Sequence, residues 1–223
     1  MVHVVLQSGY SMTDSSFVLF RKSALAGIFI SLGCIVNLKV GGALGAFLFS
    51  FGLLSVILYG VPLYTGKAGF CEKPCDLKRL CLILLGNIVG ALVLAVCVHF
   101  CFPEVAKASE SIVSARLSSG FLRAILASVL CGFVMTTVVR FARRTKAQIN
   151  QKYDGNLVVL LLGIPLFILS GYWHSIADAF YYSVCLTFSV KAFVVYLLTV
   201  VGNFIGCNLY NLISGGSVFV REE

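Results

Sequence analysis

Leu169-Ser170-Gly171-Tyr172-Trp173-His174-Ser175-Ile176-Ala177-Asp178-Ala179-Phe180 is the stretch on which the reading of this chain turns. It sets a histidine, two serines and a carboxylate inside a long apolar run. Ionisable groups are costly in hydrocarbon, so one at membrane depth is a candidate functional residue by default. A second interruption, Gly60-Val61-Pro62-Leu63-Tyr64-Thr65-Gly66-Lys67, holds a comparable place in the first half of the chain.

The composition makes membrane depth the right frame. Of 223 residues, 59% are hydrophobic and only 12% are charged, against about 25% charged in a soluble domain. Mean hydropathy is +0.99. The apolar residues fall into six blocks, most long enough to cross a bilayer as a helix. The net charge of +8 would suggest a nucleic-acid partner in a soluble protein. Here the basic residues sit at block ends, which is the pattern of membrane topology and argues against nucleic acid. Met1 to Ser16 lacks the basic start and apolar core of a secretory signal. The nine cysteines lie mostly inside apolar blocks and form no disulfide framework. No cofactor motif is present.

The expected organisation is an interfacial segment over 1–20, a membrane domain over 21–215 and a short tail over 216–223. Asp14, Ser15 or Ser16 is placed to cap a short helix in the first of these. Span 1 is expected over Ser23–Val36, closed by Lys39. Span 2 starts near Gly41 and is broken by Pro62 and Gly66, with an irregular loop over 66–69 and a charged connection over 71–79. Span 3 covers Leu80–Phe102, a polar loop 103–119, and span 4 Phe121–Phe141. A basic loop follows with Arg140, Arg143, Arg144, Lys146 and Lys152. Span 5 starts near Leu157 and breaks at Gly171–Asp178, and span 6 covers Phe188–Ile213. With six spans, Arg21 and Lys22, the 67–79 loop, the 140–152 loop and the C-terminus share one side. That side holds most Lys and Arg and reads as cytoplasmic, which places the protein in the cytoplasmic (inner) membrane with both termini inside.

The two halves resemble each other. Leu85-Gly86-Asn87-Ile88-Val89-Gly90 in span 3 returns as Val201-Gly202-Asn203-Phe204-Ile205-Gly206 in span 6. Because three crossings separate the halves, the repeat must be inverted. An inverted 3+3 repeat with broken second and fifth helices is a transporter or channel architecture, with its site at the breaks. The class is therefore an all-α integral membrane protein and not an enzyme.

In GGALGAFLFSFGLLSVILYG (41–60), LYTG (63–66), LGNIVGAL (85–92), SGYWHSIAD (170–178) and VGNFIG (201–206) the chain resembles the formate/nitrite transporter family. That resemblance implies an aquaporin-like protomer in a homopentamer. Each protomer would have its own pore for small monovalent anions such as formate, nitrite or hydrosulfide, with possible proton coupling. It also implies site residues. His174 matches the central pore histidine, and Thr65 the threonine that faces it. Leu63 and Phe167 match an outer constriction, Phe49 and Leu53 an inner one. Asn203 and Arg116 match polar groups on the outer side of the pore, Arg116 standing where a lysine is usual. Three positions depart from the family pattern: Trp173 replaces a usual Glu, Asp178 a usual Asn, and Lys67 a usual Asn. Lys67 then reads as an anion attractor in the inner vestibule or as a snorkelling surface lysine. The departures lean away from a standard formate channel and towards hydrosulfide, so the anion expected is hydrosulfide or, failing that, formate.

An imidazole suits this site because its unperturbed pKa of about 6.5 allows it to act as a charge or as a proton donor. Two other classes compete. A membrane thiol oxidoreductase would use Cys71 and Cys75, which the charge pattern places on the reducing side. A neutral-solute pore of the aquaporin kind would carry paired Asn-Pro-Ala turns, which the sequence lacks.

Overall fold

A computed structural model describes residues 14–70, 74–148 and 155–213, and among them all regular structure is helical. The order is α1 (Ser16–Val40), α2 (Gly42–Leu58), α3 (Tyr64–Lys67), a 3-10 turn (Ala68–Phe70), α4 (Pro74–Cys101), α5 (Pro103–Ser118), α6 (Phe121–Gln148), α7 (Gly155–Leu169), α8 (Ser175–Val184) and α9 (Val190–Ile213). Helices α1, α4, α6 and α9 are long and apolar enough to cross a membrane, while Gly42–Leu58 and Val158–Leu169 are shorter apolar helices. The two short ones are those interrupted by the quoted breaks.

Both breaks are made the same way. At the end of α2, Gly60 takes φ 63° and donates to Ile57 O, while Val61 N donates to Val56 O. At the end of α7, Gly171 takes φ 70° and donates to Ile168 O, while Tyr172 N donates to Phe167 O. Each is a left-handed glycine cap of the Schellman type, which closes a helix by satisfying its last carbonyls.

Small residues set the packing of the long helices. A Cβ on Gly90 would collide with the Ala24 carbonyl, and one on Gly206 with the Val129 carbonyl. Gly86 likewise faces Phe20 and Ser23, and Gly202 faces Ile125 and Ser128. Both contact sets advance along both helices together, so α1 runs parallel to α4, and α6 to α9. This is the close-approach packing that small residues permit in membranes, where apolar burial does not drive helices together. Asn211, near the end of α9, donates to Gly69 O just before α4. The C-terminal end of α9 therefore lies on the same face as the N-terminal ends of α4 and α1.

Several boundaries differ from expectation. Residues 103–119 are not a loop: 103–118 form α5, with Pro103 at its first turn and Val105, Ala106, Ser109 and Val113 buried on one face. Balanced charges hid that stripe. The segment over 66–69 is not irregular but helical, as α3 and the 3-10 turn. Ser15 caps α1 itself, accepting from Val18 N at 3.4 Å, so residues 16–20 open the first long helix and not a separate interfacial one. Helix α4 already begins at Pro74, and α6 runs on to Gln148 through the basic residues. The half-helix after the second break starts at Ser175, three residues earlier than the break was expected to end. Residues 1–13, Cys71, Lys152 and the tail 216–223 lie outside the described residues. For Cys75 the backbone alone is described.

Candidate functional site

Each break is held by one asparagine. Asn87 Oδ1 accepts from Tyr64 N at 2.8 Å, and its Nδ2 donates to Ser23 O at 2.7 Å and Pro62 O at 3.0 Å. Asn203 Oδ1 accepts from Ser175 N at 2.8 Å, and its Nδ2 donates to Ser128 O and Trp173 O, both at 2.8 Å. The two clamps have the same pattern. Both side chains are fully buried, and each satisfies backbone groups that a broken helix leaves open. Asn203 is thus engaged inside the protein and does not line the outer cavity described below.

Between the clamps, His174 meets Thr65. Thr65 Oγ1 lies 2.9 Å from His174 Nε2, and the two residues are 1% and 2% exposed. His174 is also the N-cap of α8: its Nδ1 accepts from Ala177 N at 3.2 Å. An acceptor at Nδ1 places the ring hydrogen on Nε2, where it is donated to Thr65 Oγ1. A hydrogen on both nitrogens would set a donor against the Ala177 N–H. Thr65 is itself positioned from behind, since Cys207 Sγ lies 3.3 Å from its carbonyl oxygen. Cys207 sits one turn beyond Asn203 on α9. The i, i+4 spacing from Asn203 was the only sequence signal for it, and among nine cysteines that spacing singles out nothing.

A cavity of about 300 Å³ reaches His174 from the side of α5. Phe49, Phe167, Arg116, Arg123, Trp173 and Tyr181 are among its walls. Phe167 stands between Phe49 and the histidine: the Phe49–Phe167 centroids are 5.9 Å apart, edge to face, and the Phe167–His174 centroids 5.8 Å. Phe49 is therefore paired with Phe167 and not set apart from it on an inner constriction. Leu53, one turn on, and Leu63, just before Thr65, are buried but do not line this cavity. Lys67 ends α3, half-buried, and does not line it either.

Arg116 and Asp178 form an ion pair within the wall, with the Arg116 side chain 11% exposed and Asp178 fully buried. The guanidinium also lies over Trp173 at 4.9 Å and Tyr181 at 5.8 Å. Two of the departures from the family pattern, Trp173 and Asp178, thus converge on the arginine that is the fourth unusual residue. On the opposite side of the molecule, Arg140 donates to Gly69 O at 3.1 Å and to Asn211 Oδ1, and stacks on Phe70 and Tyr210. It pins the segment after α3 to α9. Among the described residues no group of three or more His, Cys, Asp or Glu is gathered that could hold a metal ion.

The fold is shared with solved channels. A structure titled pentameric formate channel with formate bound superposes with a TM-score of 0.75 at 17% identity, covering 95% of this chain and all of that one. A second, titled FNT family ion channel, gives 0.76 at 19% identity, over 91% of this chain and 90% of the other. In sequence, the formate channel BtFdhC of Bacillus thuringiensis is 25% identical over 184 residues, 70% of this chain and 68% of that protein. The family model described as formate/nitrite transporter matches residues 2–220, nearly the whole length. With broken helices, clamps and an imidazole–hydroxyl centre on a shared channel fold, that match settles the assignment: the chain belongs to the formate/nitrite transporter family, whose members are membrane channels and not enzymes.

Proposed function

We propose that the protein is a channel for small monovalent anions of the formate, nitrite and hydrosulfide class. In this reading the protomer crosses the cytoplasmic membrane six times as an inverted 3+3 repeat, with both termini on the cytoplasmic side. The equal caps at Gly60 and Gly171 and the equal clamps at Asn87 and Asn203 support the repeat. A homopentamer accounts for the breadth of apolar surface on α2, α4 and α9, including Phe47, Phe51, Val93 and Phe193, part of which would face sister protomers and part lipid.

The carrying observation is the His174–Thr65 contact beneath an edge-to-face pair of phenylalanines at the floor of a cavity. A bare anion loses its water shell on passing Phe49 and Phe167, and idealised desolvation of a carboxylate costs tens of kcal/mol. The centre offsets this in one of two ways. Thr65 Oγ1, accepting from His174 Nε2–H, has its own hydroxyl hydrogen left to give to the anion. In the other way, the ring first takes a second proton at Nδ1 from water entering with the anion, giving up the bond from Ala177 N. The Nε2 hydrogen then moves to Thr65 and the hydroxyl hydrogen to the anion, so that a neutral acid crosses and a neutral ring remains. Leu53 and Leu63 form the apolar wall beyond the centre, and Lys67 lies at its inner end. Formate, the anion named for BtFdhC, and hydrosulfide are the first substrates to test.

The test is flux into proteoliposomes, followed by internal pH after mixing with formate, nitrite or hydrosulfide. Wild-type protein should carry at least one of them. His174→Phe should abolish the flux or its dependence on pH. Unchanged flux with unchanged pH dependence in that variant refutes the role given to the histidine.

A further inference from the structure

The cavity above His174 has two arginines in its walls, and they are not equivalent. Arg116 is committed: Asp178 neutralises it, and Trp173 and Tyr181 cover it. Arg123, at the first turn of α6, also lines the cavity but is exposed to its solvent. Among the described residues no carboxylate, carbonyl or ring partners it. Lys39, at the same end of the molecule, is paired with Glu104 at 3.0 Å and does not line the cavity. The lining is completed on the α1 side by Asn37, a half-buried amide with no hydrogen-bond partner among the described residues.

We propose that Arg123 is the anion-binding station of the outer cavity, with Asn37 on the facing wall, and that Arg116 is a positioning residue for the α8 end of the site. This rests on the reading of the chain as an anion channel and names the residue that would load it. A guanidinium presents paired N–H donors that match a planar carboxylate or nitrite two-to-two, which an ammonium cannot do. A single uncompensated positive charge on the exposed wall of a cleft concentrates monovalent anions. It gives a divalent anion no second charge to pair with. Clefts of this kind raise capture rates roughly tenfold or more, in a manner that salt suppresses.

The protein carries its own reporter. Trp173 is its only tryptophan, and it lines the cavity. In the purified full-length protein, quenching of Trp173 fluorescence by iodide reads the local anion concentration, and quenching by acrylamide reads access alone. Arg123→Gln should lower iodide quenching severalfold at low salt and leave acrylamide quenching unchanged. Arg123→Lys should restore most of it. In proteoliposomes the Gln variant should raise the apparent KM for formate by about tenfold at low salt, the size of the focusing effect, with an unchanged maximal rate. Iodide quenching equal to wild type overturns the proposal, and so does a parallel fall with acrylamide, which would mean lost access. If wild-type protein carries none of the three anions, the channel reading falls, while the quenching comparison still decides whether Arg123 gathers anions.

Discussion

Replacing Asn203 with alanine should loosen the second break and disable the pore together. The side chain is fully buried and makes three bonds. Ser128 O lies within α6 and has a helical partner of its own, so its loss is small. Ser175 N is the first N–H of α8 and Trp173 O is in the break, and neither has a backbone partner among the described residues. Stranding a buried donor or acceptor costs about 1–3 kcal/mol each. Side-chain hydrogen bonds measured in membrane helices average about 0.6 and reach about 1.7 kcal/mol. The two scales together give about 2–4 kcal/mol for the variant. For a chain of this size each kcal/mol moves Tm by about 2–4 °C, so the midpoint should fall by roughly 4–16 °C. Thermal unfolding in detergent, followed by Trp173 fluorescence, measures it directly, because the tryptophan is one of the clamped residues. Formate flux in proteoliposomes should fall as well, since the clamp brackets His174 on both sides. A midpoint within about 1 °C of wild type, with normal flux, would refute the claim that Asn203 holds the break.

Asn87→Ala should destabilise by a similar amount, again about 2–4 kcal/mol, but it should disturb the Thr65 side and leave the environment of Trp173, read by emission wavelength, unchanged. Phe167→Ala removes a buried ring, which costs about 3–5 kcal/mol, and opens the floor of the cavity. Light scattering of osmotically shocked vesicles should then report faster passage of water and of larger anions such as acetate. Asp178→Asn leaves Arg116 without its counter-charge at an almost buried position. Breaking one side of such a pair costs about 3–5 kcal/mol, so a melting point clearly below wild type is expected, with partial rescue in Arg116→Gln/Asp178→Asn. Gly206→Ala would drive a methyl into the Val129 carbonyl. The parallel contact between α6 and α9 should separate, seen as loss of the assembled species on size exclusion.

The sequence was informative where chemistry interrupts hydrophobicity, and poor where it does not. Two glycine–proline or glycine–histidine interruptions are visible against an apolar background, and the repeated Gly-Asn motif marks the residues that clamp them. Helix α5 was missed because its stripe of Val105, Ala106, Ser109 and Val113 is short and its charges cancel. The pairing of Phe49 with Phe167 could not be read from sequence. Spacing along a helix says which residues share a face, and nothing about the depth at which two distant helices cross. The Arg116–Asp178 pair was equally hidden: Asp178 is recognisable as an odd residue, but its partner lies on an element that looked like a loop.

The deeper lesson of the repeat is that backbone symmetry does not carry chemical symmetry with it. Leu63 and His174 occupy corresponding places: each immediately precedes the residue whose N–H is bound by the clamp asparagine, Tyr64 and Ser175 respectively. Their backbone angles nearly coincide, φ −110° and ψ 136° for Leu63, φ −109° and ψ 117° for His174. The leucine caps nothing with its side chain, whereas the histidine caps α8 and reaches Thr65. Had both places held histidine, two donors would compete for one hydroxyl in the same desolvated volume. With one apolar and one protonatable side chain, the site has a single ring hydrogen, aimed at a single hydroxyl. Leu63→His therefore tests the arrangement more sharply than removing His174 does. It should leave the fold and the clamps intact, as N-cap positions tolerate histidine's backbone angles, yet lower anion flux by hydrating the apolar wall beyond Thr65. Flux and pH dependence equal to wild type in that variant would mean that the asymmetry of the two breaks has no part in conduction.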